Sequence, residues 1–278
     1  MERPTMEDVA RAAGVDKATV SRALKGDRRI SSVTRERVWD AARALGYRLN
    51  VTASSLSGGR TGIAAVVLAD LHPWLSPSFF RGLHRTLARL EMDILLKIPE
   101  FRGQDILPSL LARRVDCIAW LGASSVPLQT SELAVPLVTA GFSLPGGPAV
   151  LLSEESTLRQ LEGAAGGRPM MLAAGEGALF PFLSARLAPL SGDCRGAFVV
   201  YDGLPPGDGS SGCRCVVPEV PESPGLYRLE WPGYALGVAL GRVLTAALQA
   251  RGGVPSETFV APTLRGPDGD TVLSIKET

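Results

Sequence analysis

Gly14 is the residue that most narrows what the start of this chain can become. It stands between two short amphipathic runs, "TMEDVARAA" and "VDKATVSRALK". A glycine there lets the backbone take the left-handed turn that ends one helix just before another begins. Thr5 and Asp8 have the spacing of a capping box with a carboxylate in place of the usual glutamate, so a first helix is predicted from about Met6, stopping at Gly14. Asp16 is the N-cap candidate for a second, Lys17 to about Lys25. A third begins near Ser32 or Thr34, carries Val33, Val38, Ala41, Ala42 and Leu45 at helical spacing, and ends at Gly46. With Ala10 allowing close approach and Val15 and Val20 filling the crevice, the first two make a helix-turn-helix. The second helix then buries Val20, Ala23 and Leu24 and turns Ala18, Ser21, Arg22 and Lys25 outward as one face.

Charge says what that face could meet. The chain as a whole carries +1, but cut at Arg60 it holds 12 Lys+Arg against 7 Asp+Glu, or +5, before the cut and 17 against 21, or −4, after it. A basic module attached to an acidic body points to a polyanion at one end only. The outward face fits the major groove of DNA: Lys17 and Arg22 can donate to guanine edges, Ser21 to bases or phosphate, and the Ala18 methyl can meet a thymine methyl. A solvated basic face on an ordinary bundle is the plainer reading of one such helix. The tri-helical setting and the local charge favour DNA.

Beyond the weak segment Asn50–Ser57 and the flexible joint "SGGRTG" the texture changes. "GIAAVVLADL", "DILLKI", "VDCIAWLG", "PLVTAG", "RPMMLAAG", "GAFVVYD" and "CRCVVP" read as strands. "SFFRGLHRTLARLEM", "ILPSLLARR" and stretches near 155–164, 178–188 and 233–250 read as helices. That alternation makes a doubly wound α/β body, and proline and glycine in its second half shorten or remove helices. Other chemistry finds little support. Cys213 and Cys215 have no second ligand pair, His72 and His84 have no companions at metal spacing, and the glycines of "GDGSSG" open no helix. No catalytic residue, metal or cofactor is expected, so the protein is not read as an enzyme. Glu154 and Glu155 fit a helix start. With neither a secretory signal nor an apolar run of about 18 residues, a cytoplasmic protein without a membrane partner is expected.

Residues 5–50, with "DVARAAGV", "KATVSR", "TRERV", "AARALGY" and Asn50 in register, resemble the DNA-binding headpiece of lactose-repressor-type (LacI/GalR) transcription regulators. The resemblance implies that Lys17, Ala18 and Arg22 face base edges and that Thr5, Thr19, Ser21, Tyr47 and Asn50 lie at or near phosphates. Asp16 stands where the family usually has serine, and its charge next to a phosphate is repulsive. "NVTASSLS" resembles the family's hinge helix, and Leu56 its minor-groove wedge; a linker leucine docked on the body is the other reading of Leu56. The body resembles the family's periplasmic-binding-protein-like effector domain, two α/β halves with a ligand cleft between them, through "RTGIAAVVLADL", "FFRGL", "RRVDCIAWLG" and "VPLVTAG" in its first half and "YRLEWPGYALGVALGRVLTAAL" and "FVAPTLRG" as its last helix and strand. Phe79 and Phe80 match aromatic residues facing the cleft and Asp202 its acidic position, though core packing and a turn fit them as well. Trp74, just before them, lines a pocket or covers a strand end. The middle of the body departs from the family: "GLPPGDGSSG" follows Tyr201-Asp202 and the "GFDD" stretch is absent.

The resulting expectation is a headpiece at 1–49, a hinge and linker at 50–60 and an effector and dimerisation body at 61–278. Such a chain is a homodimeric regulator, a repressor, on a pseudopalindromic DNA operator, with a small molecule such as a sugar in the cleft. The alternative keeps the DNA and drops the small molecule, leaving the body for dimerisation or protein docking. A cleft filled by side chains would favour that alternative.

Overall fold

The computed structural model describes residues 4–24, 26–47, 60–69, 74–99, 106–122, 133–174, 180, 182–191, 196–202, 212–216, 226–249 and 253–268, so Lys25, Asn50, Leu56 and the proposed hinge segment lie outside the described residues. The chain divides into two compact units, Met1–Thr61 and Gly62–Thr278.

The first unit holds α1 (Met6–Ala13), α2 (Lys17–Leu24) and α3 (Ser32–Ala44). Its helix ends are written locally. Thr5 Oγ1 accepts from the Asp8 amide and the Asp8 carboxylate accepts from the Thr5 amide at 2.9 Å, closing the capping box. Gly14 sits at φ 62°, with its N–H on Arg11 O and that of Val15 on Ala10 O. This pair of bonds satisfies the last carbonyls of α1, and the same pairing recurs at Gly26 and Gly46. Nothing crowds Gly14, so it is the left-handed backbone and not space that asks for glycine. Each helix packs on the other two around Val9, Ala10, Ala13, Val20, Ala23, Val38 and Ala42. Two residues assigned to the apolar stripe of α3 are not in it: Val33 is 72% exposed and Leu45 39%. Val33 lies five residues from the buried Val38, more than a quarter-turn off its face.

The second unit contains two six-stranded sheets. The first runs β11-β5-β4-β3-β1-β2, all parallel, from β1 (Ile63–Leu68), β2 (Asp93–Lys97), β3 (Cys117–Leu121), β4 (Leu137–Ala140), β5 (Ala149–Leu152) and β11 (Glu257–Val260). The second runs β12-β10-β9-β8-β6-β7, from β6 (Met170–Ala174), β7 (Ala188–Pro189), β8 (Phe198–Asp202), β9 (Gly212–Val216), β10 (Tyr227–Glu230) and β12 (Thr263–Arg265), with only β12 antiparallel to its neighbour. In each sheet the first strand lies between the second and third, which places a topological switch point at the carboxyl ends of β1 and β3 and of β6 and β8. The helices are α4 (Pro77–Leu87), α5 (Ile106–Ala112), α6 (Glu154–Ala165), α7 (Leu183–Arg186) and α8 (Gly233–Gln249), with Glu154 and Glu155 in the first turn of α6.

The chain passes between the sheets through α6, through α8 and through Ala261 and Pro262. Gln160 of α6 ties two of these crossings: its Nε2 donates to Pro262 O at 3.2 Å and its Oε1 accepts from the Leu264 amide at 3.0 Å. Helices α4 and α8 meet backbone to backbone. A Cβ on Gly237 would collide with Phe79 O and stand 2.8 Å from Leu83 N, and one on Gly82 would collide with Tyr234 O.

Three expectations need correction. The helix near 178–188 is only Leu183–Arg186, because Leu187 turns into extended chain and β7 pairs along the edge of β6. Pro189 is tolerated there because an edge strand leaves one side of its backbone unpaired. "FVAPTLRG" is two strands in different sheets, split at Pro262, whose carbonyl goes to Gln160. "YRLE", grouped with the last helix, is β10.

Candidate nucleic-acid interface

The two faces of α2 separate as its periodicity requires. Val20 and Ala23 are fully buried and Leu24 half-buried, while Lys17, Ala18 and Arg22 are exposed and Thr19 and Ser21 half-exposed. Every described candidate on α2 therefore sits on or beside one open face. Tyr47, half-buried, packs on the small core and ties the end of α3 through its amide to Ala42 O at 2.8 Å.

The expected phosphate contacts look different at atomic detail. Thr5 Oγ1 donates to Asp8 Oδ2 at 2.7 Å and Thr19 Oγ1 to Asp16 Oδ2 at 2.7 Å, so each hydroxyl proton is already committed within the headpiece. Asp16 also accepts from the Thr19 amide at 2.8 Å and so caps α2. These bonds, the hydroxyl ones foremost, hold the Asp8 and Asp16 carboxyls below their ordinary 3.8, which keeps both charged. A little further on, Arg29 wraps Asp27 with Nε and Nη2, the latter at 2.7 Å, and lowers that carboxyl to about 2. Arg35 fastens the same loop to α3, donating to Asp27 O at 3.0 Å and Ile30 O at 3.1 Å.

One contact went unforeseen in the sequence. Glu7 Oε1 of α1 accepts from Lys17 Nζ of α2 at 2.9 Å. Its signal was there: once the two helices are set in helix-turn-helix register, their first turns are neighbours and carry opposite charges.

Residues 5–50 match the family model described as bacterial regulatory proteins, lacI family. Over these residues the chain is similar to the DNA-binding part of that family. Among its relatives, catabolite control protein A of Staphylococcus epidermidis is 30% identical over 149 residues, 49% of this chain and 44% of that protein. The HTH-type transcriptional regulator PtxS of Pseudomonas plecoglossicida is 43% identical over 82 residues, 29% of this chain and 24% of that one. The chain thus spans less than half the length of these curated relatives. The lac repressor dimer bound to operator and the anti-inducer ONPF has the same fold, with a TM-score of 0.68 at 18% identity over 95% of this chain and 98% of that one. A LacI family transcriptional regulator from Silicibacter pomeroyi superposes with a TM-score of 0.66, also at 18% identity, covering 95% of this chain and 98% of its own.

The body of the chain places its other candidates in packing. Phe79 is fully buried and Phe80 half-buried, with ring centroids 5.4 Å apart. Trp74 stands edge-on to Phe79 at 5.6 Å and to Trp231 at 5.2 Å, and Trp231 meets Phe180 at 5.9 Å. Trp74 also lies against Gly141, just past β4, where a Cβ would come within 2.9 Å of its ring. Asp202, 1% exposed, accepts from the Phe180 amide at 3.0 Å. Aromatic side chains from both halves thus join at the carboxyl ends of the strands. Among the described residues no group of His, Cys, Asp and Glu is arranged to hold a metal, and no helix is long and apolar enough to cross a membrane.

Proposed function

We propose that the protein is a sequence-specific DNA-binding transcription regulator, a repressor, that binds a pseudopalindromic operator as a homodimer in the cytoplasm and performs no catalysis. The observation that carries this reading is α2, which seals Val20 and Ala23 in the core and presents Lys17, Ala18, Ser21 and Arg22 together. Arg22 and Lys17 supply donors for guanine, Ala18 an apolar contact for a thymine methyl, and Ser21 a hydroxyl for base or phosphate. Thr5 caps α1 and the Thr19 hydroxyl is held by the Asp16 cap of α2, so amides at the helix starts take over much of the phosphate contact expected of these hydroxyls. Lys25 extends the face, Tyr47 and Asn50 approach the backbone, and Leu56 wedges the minor groove from a hinge at 50–60 between a headpiece at 1–49 and the body at 61–278. The lac repressor in the matched structure is a dimer on operator, which supports the same geometry here.

For the body, the aromatic junction favours the reading without a small molecule. Ligands of open α/β sheets bind outside the strand ends at the switch point, and here Trp74 and Phe79 join Phe180 and its partner Asp202 through Trp231. A body of this kind serves dimerisation or protein docking. A sugar-responsive body is the other proposal, with Phe79, Phe80 and Asp202 as its contacts.

Both parts are tested by selecting duplexes from a random pool with the wild type and Leu56→Ala at two salt concentrations, then titrating the enriched duplex with and without a panel of hexoses and pentoses. A palindrome weakened by the substitution and indifferent to sugars is expected. Binding with no enriched motif, falling steeply with salt, would leave only the phosphate term and remove the regulator reading. A sugar that shifts operator affinity would restore the effector.

A further inference from the structure

The Glu7–Lys17 contact is out of place as a stability device. Both side chains are largely exposed, 67% and 61%, and an exposed ion pair contributes only about 0–1 kcal/mol. It is out of place as a generic DNA contact too, because a carboxylate on the face that approaches phosphates weakens attraction to every sequence alike. Both objections vanish if the pair meets bases.

We propose that Glu7 is a specificity-determining residue that works with Lys17 as a two-sided reader of one G·C base pair in each half-site. This rests on the DNA-binding reading above. The ammonium of Lys17 offers three donors and no acceptor, and the carboxylate of Glu7 only acceptors. Set 2.9 Å apart, they present donor and acceptor side by side. In the major groove guanine shows two neighbouring acceptors, N7 and O6, followed by the N4 donor of cytosine. Lys17 can bridge the two acceptors while Glu7 takes the cytosine amine. In an A·T pair the N6 donor lies between two acceptors, so Lys17 can satisfy only one of them with Glu7 in place. Alone, Lys17 would donate to any acceptor, a phosphate included. Glu7 therefore narrows the contact by penalising the wrong partners, at a cost in general affinity. The other nearby carboxylates are already engaged: Asp8 by Thr5 and Arg11, and Asp16 by Thr19.

The test repeats the random-duplex selection with the full-length wild type, Glu7→Ala and Glu7→Gln, after circular dichroism has shown equal helix content. The wild type should enrich a motif with one G·C position per half-site that Glu7→Ala no longer prefers, a loss of about tenfold or more in discrimination there and little elsewhere. Glu7→Ala should also bind random duplex more tightly, with a salt dependence steeper by about one phosphate contact, because Lys17 is released. Glu7→Gln should move the preference at that position towards A·T, whose N6 and N7 suit an amide. A Glu7→Ala motif identical to the wild type at every position, with affinity changed by one common factor, would make the contact a plain surface ion pair and overturn the inference while leaving the regulator reading intact. A wild type that enriches no motif would remove both.

Discussion

The headpiece and the body hold themselves together in opposite ways. Among the described residues the buried headpiece core is made of valines and alanines, and its helices are fixed by contacts within a few residues: a capping box at Thr5, an aspartate cap at Asp16, a serine cap at Ser31 and paired amide bonds around Gly14, Gly26 and Gly46. The body depends on partners far apart in sequence, Phe79 against Gly237, Trp74 against Trp231 and Gln160 against Pro262 and Leu264. A small unit can be fixed locally because it needs little buried area beyond its helix ends. The larger one must match shapes that distant segments supply.

Substitutions should separate the two, and the largest effect falls in the body. Gly237→Val drives side-chain atoms into the Phe79 carbonyl and the Leu83 amide, and neither is free to move within α4. The body is expected to lose its cooperative melting transition while the headpiece helices survive, as read by calorimetry and limited proteolysis. Trp74→Ala removes the ring joining Phe79 and Trp231 and should destabilise the body by about 3–5 kcal/mol, measured by denaturant titration, again sparing the headpiece. Survival of the wild-type midpoint in either variant would contradict the assigned packing.

In the headpiece, Thr5→Ala breaks the capping box and should cost about 1 kcal/mol in that unit alone, followed by hydrogen exchange of α1 amides. The smallest effect is on pH. Asp8, Asp16 and Asp27 have depressed carboxyls, so their contribution is complete above the ordinary value of 3.8 and disappears as pH falls through the lower folded values, about 2 for Asp27. Headpiece helicity should be flat from pH 7 to 5 and decline only below about 4. A decline centred near pH 6 would show that other groups control it.

This contrast also explains what could be read from the sequence. The helix-turn-helix, with Asp16 as a cap and Gly14 as the turn, was legible because each signal lies within four residues of what it acts on. The strands of the first half were legible as apolar runs. β10 and the split at Pro262 were not, since "YRLE" has no strong alternation and only Gln160, about a hundred residues earlier, reveals where the Pro262 carbonyl goes. Gly233, Gly237 and Gly241 repeat every fourth residue, a visible hint of close helix packing, but not of α4 as the partner. In the candidate site Ala18, Ser21 and Arg22 lie on or beside the open face expected of them, while Lys25 is outside the described residues. The capture of the Thr5 and Thr19 hydroxyls by neighbouring aspartates, and of Lys17 by Glu7, depended on side-chain geometry that residue types alone leave open.

The most direct test of the outward face of α2 is the affinity of wild type and Arg22→Ala for the selected duplex, for its single-base variants and for random duplex at fixed salt. If that face reads bases, the wild type should prefer its site by about a thousandfold or more, and Arg22→Ala should lose about tenfold to a hundredfold on that site, with discrimination relaxed at one position per half-site. An Arg22→Ala chain weakened by the same factor on every duplex would show that Arg22 meets only phosphate, and that α2 does not read sequence.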